Sequence, residues 1–273
     1  MNPPPETIGL IGVGLMGSAV AQRLGVAGFT VLGWDRDATR CQGAATAHEV
    51  FTQCRRILIS LPTYDVVNEV LHLASLRQGQ ILIDTSTGDP AQAEALGRDL
   101  AAKGVAYLDA TVSGSSEQVT RGEVLVMAGG DGGALNDCKH LLATFAKDIL
   151  HTGPCGSGAK MKLVTNLVLG LNRAALAEGL CLARHLDVEP AKALEVLRAS
   201  AARSAVMDAK GRKMVEGDFA PQARLAQHHK DVRLMLATGA DLPLTQTHDV
   251  LLSKAEALGF AEADNSAIIR AFD

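Results

Sequence analysis

The sequence predicts an α/β doubly wound sheet followed by an all-α helical domain, and two observations carry that prediction. From Ile8 to Thr152, short apolar runs alternate with stretches of helical period, the pattern of βα units laid into a mostly parallel sheet. Past the turn-rich segment Gly153-Pro-Cys-Gly156-Ser-Gly158, strand signals nearly vanish and helical patterns follow one another. The boundary falls near residue 155, with an α/β domain expected over 1–155 and a helical domain over 156–273. A chain of 273 residues can bury a substantial core in one large or two medium domains.

The elements justify themselves in order. A first strand, Ile8–Ile11, runs into Gly12-x-Gly14-x-x-Gly17, and a helix is expected from Ser18 to Gly25. The motif is weak alone but has the required strand and helix on either side. Gly12 permits the tight turn, Gly14 lets a pyrophosphate approach the backbone, and Gly17 packs helix closely on strand. Leu15 and Met16 lie between the glycines, where the helix N-terminus offers N–H groups and a positive dipole end. The second strand, Thr30–Trp34, ends at Asp35, about twenty residues on, where a carboxylate accepts hydrogen bonds from an adenosine ribose. The competing reading, a glycine-rich turn between ordinary elements, leaves that carboxylate unexplained. The first domain is therefore read as Rossmann-type, with a dinucleotide site.

Further strands are expected at Ile57–Leu61, Ile81–Asp84, Ala106–Asp109, Val124–Ala128 and Ile149–Thr152, and helices at Tyr64–Leu73, Pro90–Lys103 and Gly133–Phe145. In doubly wound sheets ligands bind outside the carboxyl ends of the strands. The informative residues are thus the Gly12–Gly17 loop, Asp35, Leu61-Pro62-Thr63, Thr85-Ser86-Thr87 and Ala110-Thr111-Val112-Ser113-Gly114.

In the second half, Ala159–His185 reads as one long helix, apolar on almost every face, which predicts burial in a bundle or at a subunit interface. Further helices are expected at Pro190–Ser200, Ala205–Glu216, Arg224–Thr238, Leu244–Leu258 and Asp264–Ala271. Lys162 and Asn166 share one face of the long helix, a turn apart. The bland reading is a lysine at the wet end of a helix. The glycine hinge before it instead sets the first turn against the carboxyl edge of the sheet, where a lysine can donate a proton to a carbonyl or accept one from a hydroxyl. Ser113-Gly114-Ser115 offers hydroxyls and N–H groups to a carboxylate, or is a plain turn. In His228-His229-Lys230-Asp231 the paired histidines lack metal-ligand spacing, so no metal is expected. Lys230 is the residue expected to matter there, against the alternative of an exposed Lys-Asp pair.

Composition excludes other classes. A net charge of −4 without blocks of like charge indicates neither nucleic acid nor an anionic membrane surface. The five cysteines are scattered without a CxxC pair, as expected of a reduced, cytoplasmic protein. The opening Met-Asn-Pro-Pro-Pro-Glu reads as a short tail without the cationic and apolar regions of a secretory signal, and no apolar run is long and clean enough to span a bilayer.

Taken together, these segments resemble the β-hydroxyacid dehydrogenase family, which includes 3-hydroxyisobutyrate dehydrogenases and tartronate semialdehyde reductases. The resemblance rests on Gly12-Val-Gly14-Leu-Met16-Gly17, Asp109-Ala-Thr-Val-Ser113-Gly114-Ser115, Gly153-Pro-Cys-Gly156-Ser-Gly158-Ala-Lys-Met-Lys162-Leu-Val-Thr-Asn166 and Lys230-Asp231, in the family's order. It implies that Lys162 is the general acid/base, that Asn166 orients the substrate, and that Ser113, Gly114 and Ser115 bind its carboxylate end. It also implies that Leu61, Pro62 and Thr87 contact the nicotinamide half of the cofactor and that Lys230 closes the site. The chain departs from the family at Thr111, usually proline, at Ser115, usually glycine, and at Ala223, often aromatic.

The resulting expectation is an NAD(P)-dependent oxidoreductase interconverting a small β-hydroxy acid and its semialdehyde or ketone. NAD is favoured because Asp35 repels a 2′-phosphate, with NADP the alternative through Arg36 and Arg40. Imine reductases share the plan but commonly lack the lysine. A non-catalytic dinucleotide sensor needs neither Lys162 nor Asn166, and a helical scaffold leaves the first half unexplained. A homodimer or homotetramer through the helical domain is expected.

Overall fold

The computed structural model describes residues 6–72 and 74–272. The tail at 1–5 and Leu73, the end of one expected helix, lie outside the described residues. The chain divides into two compact units, one ending at Lys162 and the other starting at Leu163. The expected boundary near 155 and this division lie on either side of a glycine-rich turn and the first turns of one helix.

The first unit is built on a seven-stranded sheet: β1 (Thr7–Ile11), β2 (Thr30–Trp34), β3 (Arg56–Ile59), β4 (Ile81–Asp84), β5 (Ala106–Ser113), β6 (Val124–Gly129) and β7 (Ala146–Gly153). Their spatial order is β2-β1-β3-β4-β5-β6-β7, parallel throughout except for the antiparallel pair β5 and β6. The strand order reverses between β1 and β3, which makes their carboxyl ends the switch point where a ligand is expected. The connecting helices are α1 (Leu15–Val26), α2 (Ala47–Gln53), α3 (Tyr64–His72), α4 (Pro90–Ala101), α5 (Ser116–Arg121) and α6 (Gly132–Leu142).

Strands buried on both faces read as continuous apolar runs, and both faces here are covered. One core joins Val20 and Leu24 of α1, Val119 of α5 and Leu135 of α6 to Leu10, Leu108, Ala110 and Val112 of the sheet. The other joins Val50 and Phe51 of α2, Tyr64 and Val67 of α3 and Leu100 of α4 to Ile57, Leu82 and Tyr107.

Several expectations need correction. α1 starts at Leu15 rather than Ser18, because Gly14 itself occupies the N-cap position. β3 stops at Ile59, so Leu61 lies in the loop beyond it. β5 does not end at Asp109; it continues to Ser113 because β6 returns antiparallel beside it and pairs Ala110 through Ser113. α2 and α5 were not foreseen, being only 7 and 6 residues long, too short for a clear helical period.

The helix that carries Lys162 is α7 (Ser157–His185). Its burial is one-sided rather than all round: Leu163, Leu176 and Leu180 are buried while Val164, Val168 and Leu182 are exposed. In the second unit it is followed by α8 (Pro190–Ala199), α9 (Ala205–Glu216), α10 (Leu225–Ala237), α11 (Pro243–Ala255) and a terminal 3-10 segment, Asn265–Phe272. α11 gives way to a wider turn, Glu256–Phe260, where Gly259 takes φ 91°, so the expected run to Leu258 breaks early. A core including Leu176, Leu180, Leu194, Met214, Leu225, Val232 and Ile268 holds these helices. Beneath it Asp264, fully buried, accepts from Lys210 Nζ at 2.8 Å and from the N–H of Gln222 at 3.0 Å, so this buried charge is paired and hydrogen-bonded. No described helix is long and apolar enough to cross a membrane.

Candidate active site

The glycine loop at the end of β1 is shaped by close approaches. Gly12 has φ +92°, and a Cβ there would lie 2.3 Å from the Ser60 carbonyl oxygen. A Cβ on Gly17 would lie 1.9 Å from the Gly12 carbonyl, so this residue lets α1 pass directly over the turn. Gly14 differs, since a Cβ there meets nothing within 4 Å. No side chain caps α1 and its first turn holds no acidic residue. The N-terminal turn formed by Leu15, Met16 and Gly17 therefore presents its positive end to open space beside a glycine, an arrangement that fits a pyrophosphate.

Asp35 at the end of β2 is tied to this loop, accepting from Val13 N–H at 2.7 Å through Oδ2 and from Asp37 N–H at 2.9 Å through Oδ1. Arg36 is exposed beside Glu69, at 3.6 Å, and Arg40 pairs with Asp37 at 3.2 Å.

The ends of β3 and β4 are held by a chain of hydrogen bonds that sequence reasoning did not find. Leu61 N–H donates to Ser86 Oγ at 3.0 Å, Ser86 N–H to Asp84 Oδ1 at 2.8 Å, and Tyr107 OH to Asp84 Oδ2 at 2.8 Å. Pro62 and Thr87 flank this chain. Asp84 is fully buried, and desolvation pushes its pKa up to about 6 against the opposing donors at Ser86 and Tyr107. The same desolvation raises Tyr107 and Tyr64 well above the usual phenol value. In the sequence, Asp84 shows only as a polar residue closing an apolar run.

At the end of β5, Ser113 is followed by Gly114 at φ +149°, where a Cβ would press on Val124. Ser115 caps α5, its Oγ accepting from Gln118 N–H at 3.3 Å while its own N–H donates to Gln118 Oε1 at 2.9 Å. Lys162, on the second turn of α7, donates from Nζ to the Val112 carbonyl at 2.6 Å. The structure thus brings Lys162 to the strand that delivers Ser113 and Gly114. It is half-buried and anchored, which the reading of a lysine extended into solvent does not describe.

In the second unit, buried Asn166 donates from Nδ2 to Asp231 Oδ2 at 2.8 Å, and Lys230 Nζ lies 3.2 Å from Asp231 Oδ1. Asp231 is buried, so the alternative of an exposed Lys-Asp pair is set aside, and the same carboxylate meets both residues singled out from the sequence. The histidines serve the helix packing: His229 Nε2 is 2.8 Å from Asp249 Oδ1, and the His228 and His248 rings pack at 5.2 Å against the glycine at position 170. Among the described residues no group of His, Cys, Asp and Glu is placed to hold a metal ion. All five cysteines are free thiols, and burial pushes Cys155 up to about 12.

Comparison with known proteins settles the family. A model described as the NAD binding domain of 6-phosphogluconate dehydrogenase matches residues 7–153. A second, described as NAD-binding of NADP-dependent 3-hydroxyisobutyrate dehydrogenase, matches 156–272. The chain belongs to the β-hydroxyacid dehydrogenase family. Its first unit is an NAD(P)-binding domain. The 2-(hydroxymethyl)glutarate dehydrogenase of Eubacterium barkeri is 32% identical over 97% of this chain and 94% of that protein. The solved structure of 3-hydroxyisobutyrate dehydrogenase from Salmonella typhimurium has a TM-score of 0.88 and 26% identity, covering 97% of this chain and 99% of the other. The human cytokine-like nuclear factor N-PAC is 29% identical over the whole chain, which spans only 52% of that protein's length.

Proposed function

We propose that the chain is an NAD(P)-dependent dehydrogenase that interconverts a small β-hydroxy acid and its semialdehyde or ketone, with Lys162 as general acid/base. The observation that carries this reading is the anchoring of Lys162 Nζ on Val112, the residue before the Ser113-Gly114 turn, in the same unit as the glycine loop. When bound, the nicotinamide supplies the hydride acceptor for oxidation and the donor for reduction. Lys162 takes the proton of the substrate hydroxyl in one direction and returns it to the carbonyl oxygen in the other. Ser113, Gly114 and Ser115 receive the substrate carboxylate, with Asn166 orienting it and Lys230 on the cofactor side. Leu61, Pro62 and Thr87 line the nicotinamide half, a role supported by the hydrogen-bond chain that fixes their loops.

NAD is the preferred dinucleotide in this reading. Asp35 bears a carboxylate where a 2′-phosphate would lie, and Arg36 and Arg40 each have a carboxylate partner. Assembly as a dimer or tetramer through the helical unit accounts for the row Val164, Val168 and Leu182 left exposed on α7.

The test is a screen by cofactor absorbance with NAD and NADP separately, against 3-hydroxyisobutyrate, glycerate, threonate, serine and 3-hydroxypropionate. Turnover of one of these acids is the expected result. Turnover of cyclic imines alone would replace the reading with an imine reductase. The remaining reading is a dinucleotide-binding protein without turnover, which needs neither Lys162 nor Asn166. Binding without turnover of any hydroxy acid, carbonyl or imine would establish it.

A further inference from the structure

Thr111 stands where the family resemblance leads one to expect proline, and the structure gives its hydroxyl a task that proline cannot perform. Alternate residues of a strand share a face. On one face of β5 lie Tyr107, Asp109 and Thr111, the last two fully buried. Thr111 Oγ1 donates to the Gly158 carbonyl at 3.0 Å and shares its hydrogen with the Met127 carbonyl at 3.3 Å. Asp109 Oδ2 accepts from Ala159 N–H at 2.8 Å. Gly158 and Ala159 form the first turn of α7, and Lys162 follows one turn later.

We propose that Thr111 and Asp109 are positioning residues that clamp the first turn of α7 onto β5 and thereby set where Lys162 presents its amine. The inference rests on the reading of Lys162 as the acid/base. Three further observations support it. The first turn of α7 has no acidic residue of its own, so the strand carboxylate of Asp109 meets the positive end of that helix. The helix is seated as closely as backbone allows: a Cβ on Gly158 would lie 2.1 Å from the Asp109 carbonyl and 2.7 Å from that of Met127. The residue next to Thr111 is Val112, whose carbonyl receives Lys162 Nζ at 2.6 Å, so one strand holds both the helix backbone and the amine. A buried threonine that merely satisfied its own hydroxyl needs only one carbonyl; this one reaches across to the helix.

The test compares Thr111→Val, which keeps shape and removes the donor, with Thr111→Ser, which keeps the donor. Reductive methylation under limiting reagent, read by peptide mass, reports how fast the Lys162 amine reacts, with exposed Lys103 as internal reference. Turnover of the substrate found in the screen gives kcat and the KM for dinucleotide. In Thr111→Val, Lys162 is expected to label several-fold faster relative to Lys103. Its kcat is expected to fall about tenfold while the dinucleotide KM stays within about twofold of wild type. Thr111→Ser is expected to restore both. Wild-type labelling and wild-type kcat in folded Thr111→Val would overturn the clamp. If Thr111→Val does not fold, Thr111→Cys, with a weaker donor of similar size, is measured against the same two outcomes. Activity retained in Lys162→Ala would remove the reading of Lys162 itself. The labelling comparison needs no substrate and decides the clamp in either case.

Discussion

Two helix N-termini in the first unit are finished in opposite ways. α1 begins at Gly14 with no side-chain cap, no acidic residue in its first turn and empty space where a Cβ would stand. α7 begins under β5, with its Ala159 N–H on the Asp109 carboxylate and its Gly158 carbonyl on the Thr111 hydroxyl. Both ends carry the same unmet N–H groups and the same positive dipole. At α1 no side chain of the chain caps that end, and no acidic residue stands in its first turn. At α7 the potential is met by the chain itself, and the helix becomes a rigid mount for a side chain. Glycine has a different meaning at each: Gly14 leaves open space beside the helix end, whereas Gly158 removes room between strand and helix.

The largest way to break this contrast is Gly158→Ala. The added methyl meets two backbone carbonyls that cannot move independently, and a loss of at least about 3 kcal/mol in unfolding free energy is expected from the denaturant midpoint. A loss below about 1 kcal/mol would mean that the helix is not seated against the strand as described.

A second contrast lies at the ends of β4 and β5, where Asp84 and Asp109 are register partners. Asp109 faces a helix N-terminus, while Asp84 faces the neutral donors of Ser86 and Tyr107. Burial pushes the Asp84 carboxyl of the folded chain up to about 6, from an ordinary value of 3.8. Between those values the folded chain binds more protons than the unfolded one. The contribution of Asp84 to stability is therefore fully present below about pH 4 and is lost as pH rises through 6, a change on the order of 3 kcal/mol. Asp84→Asn has no proton to lose, so its stability relative to wild type should rise across that window. A difference between the two proteins that does not vary from pH 4 to pH 7 would contradict the assignment.

Gly14→Ala sharpens the first contrast from the other side. The methyl has space in the chain, so the denaturant midpoint should hold, but it occupies ground assigned to the pyrophosphate. Dinucleotide affinity by fluorescence titration is expected to fall by about tenfold or more. Unchanged affinity would place the phosphates elsewhere. The smallest effect is expected of Asp35→Asn, which removes the charge and keeps a single acceptor oxygen for one of the two N–H donors, Val13 and Asp37. The preference for NAD over NADP should narrow by several-fold, read as the ratio of the two affinities.

Much of this was legible in the sequence because it depends on local rules. The glycine spacing, the carboxylate after β2 and the alternation of apolar runs each record a backbone requirement within a few residues. Lys162 and Asn166 were legible as a pair because helical spacing sets them on one face. The tertiary hydrogen bonds were not legible. Nothing near Asp84 announces Tyr107 as its donor, and nothing near Asn166 announces Asp231, because each pair joins residues from different elements. The true end of β5 was hidden for the same reason, since only the return of β6 extends it past Asp109. Thr111 was visible as a departure from the family pattern, but its meaning needed the position of Gly158.

In the proposed function α1 binds the dinucleotide and α7 presents the base, so binding and proton transfer separate at Lys162. Dinucleotide affinity and turnover of Lys162→Ala, measured side by side on the same preparation, test it most directly. Affinity within about twofold of wild type and kcat lower by at least about a hundredfold are expected. Turnover retained at the wild-type level, or affinity lost in parallel with activity, would contradict it.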